Sequence, residues 1–315
     1  MTSKEIRKFA DVAMYEAEAL PFDVNDGGPR VTLLSMNHDP LGSIAAMSMM
    51  YEGKVVRDLN DLTDSDRLHY FEQIKKTHLK APFESVQFHF MIEGVTRSFT
   101  HQMVRQRTAC YAQESLRFAV KDGIDEEVAL PPSLMGLADD DPRILVWRKA
   151  INAVDDGYSA LISAGVPAED ARGLLPHNIT TRLHYITNLR GLLEHGGNRL
   201  CTQAQFEWRT VFVRIVEAIR SYKAPVIEND KGQFVNHQWQ FNEIAGMFRP
   251  ICYLTGKCEF QATFDRACII KGRVDQNHQA GRKSELWAKA DIGIEAIHPH
   301  EWLLRHDAAR VAPQD

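Results

Sequence analysis

The sequence predicts an α+β protein, because segments with the two-residue period of strands alternate along the chain with segments of helical period. Strand-like alternation is found at residues 31–36, at 83–92 and after residue 108. Helical spacing bounded by capping residues is found over three longer stretches, 63–77, 141–164 and 202–222. The composition, 44% hydrophobic and 25% charged, is ordinary for a globular protein.

The first third of the chain is predicted to hold two strands and two helices. An Asp-Pro-Leu-Gly turn at 39–42 follows the strand at 31–36 and precedes a helix at 43–51. The inward residues of that helix would be Ala45, Ala46, Met49 and Met50. Thr63 and Asp66 form a capping-box pattern that begins the helix at 63–77. Its buried residues would be Leu68, Phe71 and Ile74, and those of the strand at 83–92 would be Phe88, Phe90 and Ile92.

The stretch 97–118 combines a predicted helix and strand with an unusual density of polar side chains: four arginines, a histidine, three glutamines and two serines. Helical spacing runs to residue 107 and buries Phe99 and Met103, and a period of two after Thr108 would align Gln113, Ser115 and Arg117 on one face. This corner suits an anion that carries a flat polar ring, because guanidinium groups bind phosphate bidentately. A solvated charged helix followed by a half-buried strand is the alternative.

Further along, the acidic residues 122–141 are predicted to form a loop, and Asp141-Pro142 to begin a helix that reaches about residue 164. A short helix after Pro167 carries Arg172. A helix built on Leu189, Leu192 and Leu193 is predicted to break at Gly196-Gly197. Thr202 and Gln205 then form a second capping-box pattern. The inward residues of the helix that follows would be Phe206, Val213, Val216 and Ile219.

Several of these blocks resemble the signature of flavin-dependent thymidylate synthases. In that signature Arg-His-Arg is followed after seven residues by Ser and, two positions further, by Arg. Here 105–107 reads Arg-Gln-Arg, and Ser115 and Arg117 follow at the same spacing. Other matching blocks, in the same order, are Pro82-Phe83-Glu84, Ile92-Glu93-Gly94, Ala171-Arg172, Leu175-Pro176, Asn188, Arg190, Arg199 and Ala204-Gln205-Phe206-Glu207. The resemblance spans about two thirds of the chain, and ordered blocks are more specific than one short motif.

The resemblance implies a sheet flanked by long helices, with a nucleotide site and a flavin site. The nucleotide site would comprise Gln102, Gln113, Ser115, Arg117, Arg172 and Arg199. Within it, Arg117 and Arg172 would hold the phosphate, Ser115 would orient the pyrimidine, and Arg199 would neutralise charge that develops on the ring. The flavin site would comprise Arg105, Gln106, Arg107, Asn188, Arg190, Glu194, Asn198 and Gln203.

Some of these positions depart from the family pattern. Gln106 and Gln203 replace histidines, Glu194 replaces an asparagine, Gln113 replaces a glutamate, and His78 lies one residue out of register. The implied reaction transfers a one-carbon unit from methylenetetrahydrofolate to C5 of dUMP, with FAD as hydride carrier and NADPH as reductant, in a homotetramer without a metal. The departures leave open a related pyrimidine C5-modifying enzyme, one that transfers hydroxymethyl or that acts on dCMP or UMP.

A thymidylate synthase that uses a cysteine nucleophile is the chemical alternative. Cys110 and Cys201 lie near the motifs, but neither lies in a nucleophile motif, so both are interpreted as packing residues. The spacing of Cys252, Cys258 and Cys268 does not fit a zinc knuckle, and ordinary buried cysteines are weighed there against a structural metal with His237 or His278 as fourth ligand.

The domain organisation implied by the resemblance is a catalytic domain at 1–222 and a C-terminal extension of unknown role at 223–315. The net charge of −5 argues against nucleic-acid binding by bulk electrostatics. No apolar run approaches the roughly 18 residues that cross a membrane, and the charged N-terminal residues do not resemble a signal peptide. Five widely spaced cysteines are typical of a reducing compartment, so the cytoplasm is expected.

Overall fold

The structure, a computed structural model, describes residues 28–201, 204–228 and 234–252 of the 315-residue chain. It confirms the α+β class. The four longer strands form one sheet in the order β1-β2-β4-β3, with bounds β1 Arg30–Met36, β2 Gln87–Thr96, β3 Ala109–Gln113 and β4 Thr180–Asn188. The short strands β5 (Ile227–Glu228) and β6 (Phe234–Val235) form an antiparallel pair.

Helices account for most of the remaining regular structure. Their bounds are α1 Pro40–Met50, α2 Asp64–Lys76, α3 Arg97–Met103, α4 Ile124–Glu127, α5 Pro142–Ser163, α6 Ala168–Ala171, α7 Leu189–Arg199, α8 Phe206–Ser221 and α9 Gln238–Ala245. Over the described residues, no helix combines the length and the apolar composition needed to cross a membrane.

The chain divides into two compact units. The first unit contains Val31–Phe90 and the described part of Ile186–Pro299. The second unit contains Met91–Tyr185 and the described part of Val24–Arg30. Predictions that fall on residues 1–27, Thr202, Gln203, Cys258, Cys268 and His278 lie outside the described residues.

Residues 39–42 were expected to form a turn, and this was wrong, because they begin α1. The Asp39 carboxylate caps the helix by accepting a hydrogen bond from the Gly42 N–H at 2.9 Å. Pro40 occupies the first helical position, where no N–H is needed. Met50, expected to face inward, is 57% exposed, whereas Ala45 is fully buried. The apolar residues of this helix lie on all of its sides, so the sequence alone does not mark the face that is buried.

A buried ion pair joins α1 to α2 within the first unit. The Arg67 guanidinium donates to both Asp39 carboxylate oxygens, with 2.7 Å between Nη2 and Oδ2, and both side chains are 4% exposed. Arg67 also donates to the backbone carbonyls of Leu62, at 2.6 Å, and Leu59, at 3.0 Å. Burial by itself would raise the pKa of Asp39, but the hydrogen bonds from Arg67 and Gln240 hold it below its ordinary value.

Gln240 on α9 completes this network from the far end of the described chain. Its Nε2 donates to Asp39 Oδ1 at 2.8 Å, and its Oε1 accepts from the Leu41 N–H at 2.8 Å. His237 Nε2 lies 3.7 Å from Asp39 Oδ2. A helix outside the predicted catalytic segment therefore completes the hydrogen bonding at the start of α1.

The capping predictions for α2 and α5 are confirmed. Thr63 and Asp66 form the reciprocal capping box, and α2 buries Phe71 and Ile74 but leaves Leu68 partly exposed. Asp141 caps α5 with Pro142 at its first position. The helix predicted at 202–222 was expected to begin after Thr202, but α8 begins at Phe206. Phe206, expected to face inward, is only partly buried.

The structure differs from the predictions at three other places. Residues Ala81–Ser85 form a 3₁₀ turn, so β2 begins at Gln87, although Phe88, Phe90 and Ile92 are buried as expected. The predicted loop at 122–141 contains α4, because Ile124 is buried in a core cluster. Strand β4 was not predicted at all.

Gly196-Gly197 was expected to break a helix, but α7 continues through both residues. A Cβ atom added at Gly196 would lie 2.9 Å from Phe212 Cε1 and 3.3 Å from Phe248 Cδ1. Glycine is therefore required here by the close approach of α7 to its neighbours and not by a break in the backbone.

Candidate active site

The two arginines expected to bind phosphate contact the same residue in the second unit. Arg117 Nε donates to the Glu169 carboxylate, and Arg172 Nε donates to the Glu169 backbone carbonyl at 2.9 Å. Arg117 lies after β3, Arg172 follows α6, and both are exposed. The sequence does not mark Glu169 as a partner of Arg117, because the two residues are 52 positions apart along the chain.

The chain around Arg117 is a turn and not the expected strand. The N–H groups of Phe118 and Ala119 donate to the Ser115 carbonyl at 3.2 and 2.9 Å. Strand β3 ends at Gln113 because Leu116 leaves the sheet for the core cluster that contains Ile124. The prediction that Ser115 and Arg117 share a strand face with Gln113 is therefore wrong, and so is the prediction that α3 extends to residue 107.

Arg97 adds a third positive charge beside this pair. Burial lowers the pKa of Arg97, and the nearby Arg172 guanidinium lowers it further. Its Nη1 donates to the Glu114 carbonyl at 3.3 Å. Two guanidinium groups close enough to oppose each other's charge form a locally positive field, which an anion would relieve. In the sequence analysis Arg97 is marked only as one of the four arginines in the stretch 97–118.

The polar residues of the predicted nucleotide site make short internal contacts. The Ser115 hydroxyl is exposed and accepts from the Arg117 N–H at 3.3 Å. Gln113 Nε2 donates to Thr100 Oγ1 at 3.0 Å. Gln102 lies on α3 and is partly buried. Hydroxyl and amide groups are of the kind that can orient a ligand by hydrogen bonding, which differs from the role of a nucleophile with its base.

Gln106, at the position of the family histidine, is held by two stacked tyrosines. Its Oε1 accepts from the Tyr185 hydroxyl at 2.7 Å, and its backbone carbonyl accepts from the Tyr111 hydroxyl at 3.2 Å. The two rings lie 5.5 Å apart and nearly parallel. Arg105 and Arg107 on either side are exposed. The side-chain amide of Gln106 is thus held in one orientation, and the residues before and after it in the sequence are exposed cations.

Five further predicted site residues belong to the first unit: Asn188, Arg190, Glu194, Asn198 and Arg199. Asn188 caps α7 by accepting from the Gly191 N–H at 2.9 Å. Arg190 donates to Glu84 at 2.7 Å and to Glu194 at 3.0 Å. Asn198 is exposed. The remaining predicted residues that the structure describes lie in the second unit.

Arg199 at the end of α7 is in contact with two aromatic side chains of the first unit. Its Nε donates to His195 Nε2 at 3.2 Å, and its Cζ lies 4.6 Å from the centre of the Trp208 ring. Burial lowers the pKa of His195 to about 4, and the positive charge of Arg199 contributes to this shift. The imidazole is therefore neutral at pH 7, and the hydrogen bond from Arg199 assigns its proton to Nδ1.

Acid is expected to destabilise the folded chain through His195. Because its pKa is lower in the folded state than the ordinary 6.5, the unfolded chain binds the proton more tightly, and stability is lost as pH falls from about 6.5 towards 4. We expect the free energy of unfolding to fall by about 2 kcal/mol between pH 7 and pH 5 from this group.

Urea unfolding at the two pH values measures this loss, and a His195→Gln variant is the matched control. The variant has no titrating group at this position, so its stability should fall less between pH 7 and pH 5. An equal fall in both proteins would contradict the role given to His195.

The three cysteines that the structure describes differ in exposure. Cys201 and Cys252 are buried, whereas Cys110, interpreted as a packing residue, lies exposed on the outer face of β3, so that interpretation was wrong. The two-residue period of the strand turns Cys110 outward. The described residues contain no group of three or more His, Cys, Asp or Glu side chains that could hold a metal ion.

The donor set of the second unit suits a dinucleotide with a diphosphate. Exposed Arg105 and Arg107 supply charged donors, and the oriented Gln106 amide supplies a neutral hydrogen-bonding group between them. In the first unit Arg190 is already bound to two carboxylates, which an incoming anion would have to displace. The residues at 105–107 therefore fit a flavin dinucleotide.

Comparison with known proteins identifies the class and then the family. The family model described as Thy1, thymidylate synthase complementing protein, matches residues 32–226. The fold and this match define an enzyme, a transferase of nucleotide biosynthesis. The chain is 33% identical over 205 residues to a flavin-dependent thymidylate synthase of Geobacter sulfurreducens, covering 64% of this chain and 87% of that protein. The chain belongs to the family of flavin-dependent thymidylate synthases.

A second curated relative agrees with this assignment, and a solved structure agrees with the fold. A flavin-dependent thymidylate synthase of Pyrococcus furiosus is 33% identical over 261 residues, covering 81% of this chain and 99% of the relative. Among solved structures, the UMP/dUMP methylase PolB from Streptomyces cacaoi, bound with 5-Br dUMP, matches with a TM-score of 0.50. It covers 60% of this chain and 89% of its own at 19% identity, so it supports the fold alone.

Proposed function

We propose that the chain transfers a one-carbon unit from methylenetetrahydrofolate to C5 of dUMP, with FAD as hydride carrier and NADPH as reductant, to give dTMP. The curated relatives support the general reaction. The observation that carries the choice of a nucleotide is the convergence of Arg117 and Arg172 on Glu169, with Arg97 alongside. Clustered guanidinium groups match the charge and geometry of a phosphate.

Each predicted nucleotide-site residue then has a role in this proposal. Arg117 and Arg172 hold the phosphate, and the hydrogen-bonding groups of Gln102, Gln113 and Ser115 orient the pyrimidine. Arg199 stabilises negative charge that develops on the ring. These residues act by positioning and electrostatics, which is sufficient when a cofactor carries the difficult chemical step.

The flavin, when bound, supplies the hydride that completes the methyl group. Arg105, Gln106 and Arg107 would hold it in the second unit through charged and amide donors. We also assign to it the remaining family positions, Asn188, Arg190, Glu194, Asn198 and Gln203. For Arg190 this requires that it exchange a carboxylate partner, Glu84 or Glu194, for the cofactor.

A turnover assay tests the proposal directly. Purified enzyme should convert dUMP to dTMP with methylenetetrahydrofolate and NADPH, and omission of either one, or removal of the bound FAD, should abolish product. The protein should also be yellow, with flavin absorbance near ~450 nm. A colourless protein that neither binds added FAD nor forms dTMP would reject the proposal.

Replacement of Ser115 by alanine should leave measurable turnover. The exposed hydroxyl accepts a backbone hydrogen bond and is assigned to orienting the pyrimidine, so its loss removes one neutral hydrogen bond, roughly 2- to 10-fold in kcat/KM. Steady-state kinetics measure the effect. Complete loss of turnover in a variant that still binds dUMP and FAD, or a trapped covalent adduct on Ser115, would contradict this role.

A related pyrimidine nucleotide C5-modifying enzyme is the second candidate function. The observation that favours it is the amide of Gln106, which stands where the family carries a histidine and is held by Tyr185. Such an enzyme would transfer hydroxymethyl or would accept dCMP or UMP. Mass spectrometry of the product formed from each nucleotide separates the candidates, because hydroxymethyl and methyl products differ by one oxygen.

The assembly and domain organisation are also proposals. We propose a cytoplasmic homotetramer whose catalytic domain spans 1–222 and whose residues 223–315 form an extension. Light scattering of the purified enzyme measures the oligomeric state, and a mass of one or two chains would reject the tetramer.

A further inference from the structure

The side chains around Arg199 form an arrangement that the proposed reaction does not by itself require. Arg199 and His195 are four residues apart on α7, so they lie on the same face of the helix. Trp208 approaches this face from α8 and is fully buried. We refer to His195 and Trp208 as the Arg199 clamp.

The clamp holds the guanidinium in two ways. His195 accepts a hydrogen bond from Nε at 3.2 Å, and the Trp208 ring lies under Cζ at 4.6 Å. A cation over an indole face is an attractive arrangement, and Arg is the residue that most often makes it. In the part of the chain that the structure describes, the Arg199 side chain makes a single hydrogen bond, from Nε to His195. Its Nη1 and Nη2 groups therefore remain available for a ligand.

The members of the clamp are themselves held by aromatic contacts. The His195 ring lies 4.7 Å from Trp208 and 5.6 Å from Phe212, edge-on to both. Trp208 stacks on Phe212 at 5.9 Å. Close approach at Gly196, where a Cβ atom would lie 2.9 Å from Phe212, keeps α7 against α8. An arginine anchored on such groups has lost most of its rotamer freedom before a ligand arrives.

We propose that His195 and Trp208 are positioning residues that orient Arg199 so that its two Nη groups face the pyrimidine ring of the nucleotide. The inference rests on the proposed function, which assigns Arg199 to that ring. The clamp uses the groups of Arg199 that the ligand does not need, Nε and the face of the guanidinium, and leaves the terminal fork for recognition. It acts through a neutral imidazole, because a protonated one could not accept from Nε.

A double-mutant cycle on the FAD-loaded enzyme tests this inference. His195→Leu removes the acceptor, and Trp208→Leu removes the ring face. We expect each to lower kcat/KM for dUMP roughly 10-fold in the wild-type background. His195→Gln restores an acceptor and should recover most of the loss. In the Arg199→Ala background neither leucine substitution should have a further effect, because the group that it positions is absent.

The outcomes separate this inference from the proposed function. An equal effect of His195→Leu in both backgrounds would make the clamp a structural feature only and would overturn the inference. Urea unfolding and the FAD content of every variant identify a general loss of folding, and a clamp variant with native stability and FAD content but unchanged kcat/KM would also overturn it. A wild-type enzyme that does not turn over dUMP, or an Arg199→Ala variant with wild-type kinetics, rejects the assignment of Arg199 itself.

Discussion

Replacement of Arg67 by methionine is expected to destabilise the folded chain by about 3–5 kcal/mol. The substitution leaves the Asp39 carboxylate buried without its cation, and it also removes the donors that satisfy the carbonyls of Leu59 and Leu62. Removing one partner of a buried pair costs far more than the pair's net contribution, because the remaining charge stays desolvated. Urea unfolding followed by circular dichroism measures the change.

Arg143 offers a matched control, because it makes a similar two-oxygen contact with Asp141 at the surface. Its Nε and Nη2 donate to the two Asp141 oxygens at 3.0 and 2.8 Å, but the arginine side chain is 50% exposed. Arg143→Met should therefore lower the free energy of unfolding far less than Arg67→Met does. Equal costs for the two substitutions would show that burial of Asp39 does not govern the stability of this region.

Replacement of Arg117 by alanine is expected to raise the dissociation constant for dUMP at least ~10-fold, and removal of Arg172 as well should raise it further. A charge-assisted contact to phosphate contributes about 1.5–3 kcal/mol. Arg117 must first leave Glu169, but that pair is more than 40% exposed on both sides and costs at most about 1 kcal/mol to break. The free energy gained by binding phosphate therefore exceeds the cost of separating Arg117 from Glu169.

Titration calorimetry with the FAD-loaded variants measures this affinity, with Arg148→Ala as the control. Arg148 lies within α5, pairs with Asp139 at the surface and is not one of the three arginines Arg97, Arg117 and Arg172. The Arg148→Ala protein should bind dUMP as the wild type does. An Arg117→Ala protein that binds dUMP normally would remove Arg117, and with it the phosphate assignment, from the nucleotide site.

The elements that the sequence predicts well are those whose start is determined by neighbouring residues. The Asp141-Pro142 start of α5 and the Thr63–Asp66 box of α2 are satisfied within one turn of helix, so their signals are local. The alternating phenylalanines of β2 are equally clear, because a sheet with one face in the core requires that period.

The errors arise where a distant contact overrides a local pattern. Strand β3 stops early because Leu116 joins a core cluster with residues from four later segments. The glycine pair at 196–197 allows close packing, which depends on Phe212 and Phe248 and is not visible in the helix sequence itself. Tertiary placement likewise brings Arg117 and Arg172 to Glu169. It also brings Trp208 to Arg199.

The bond between Gln240 and Asp39 also has a consequence for the order in which the chain folds. The two residues are 201 positions apart, whereas Asp39 and Arg67 are only 28 apart. Closure of the longer loop costs more entropy, so the ion pair can form early and the amide contact joins it late. During synthesis on the ribosome, the start of α1 must therefore wait for more than two thirds of the chain to emerge before its last partner arrives.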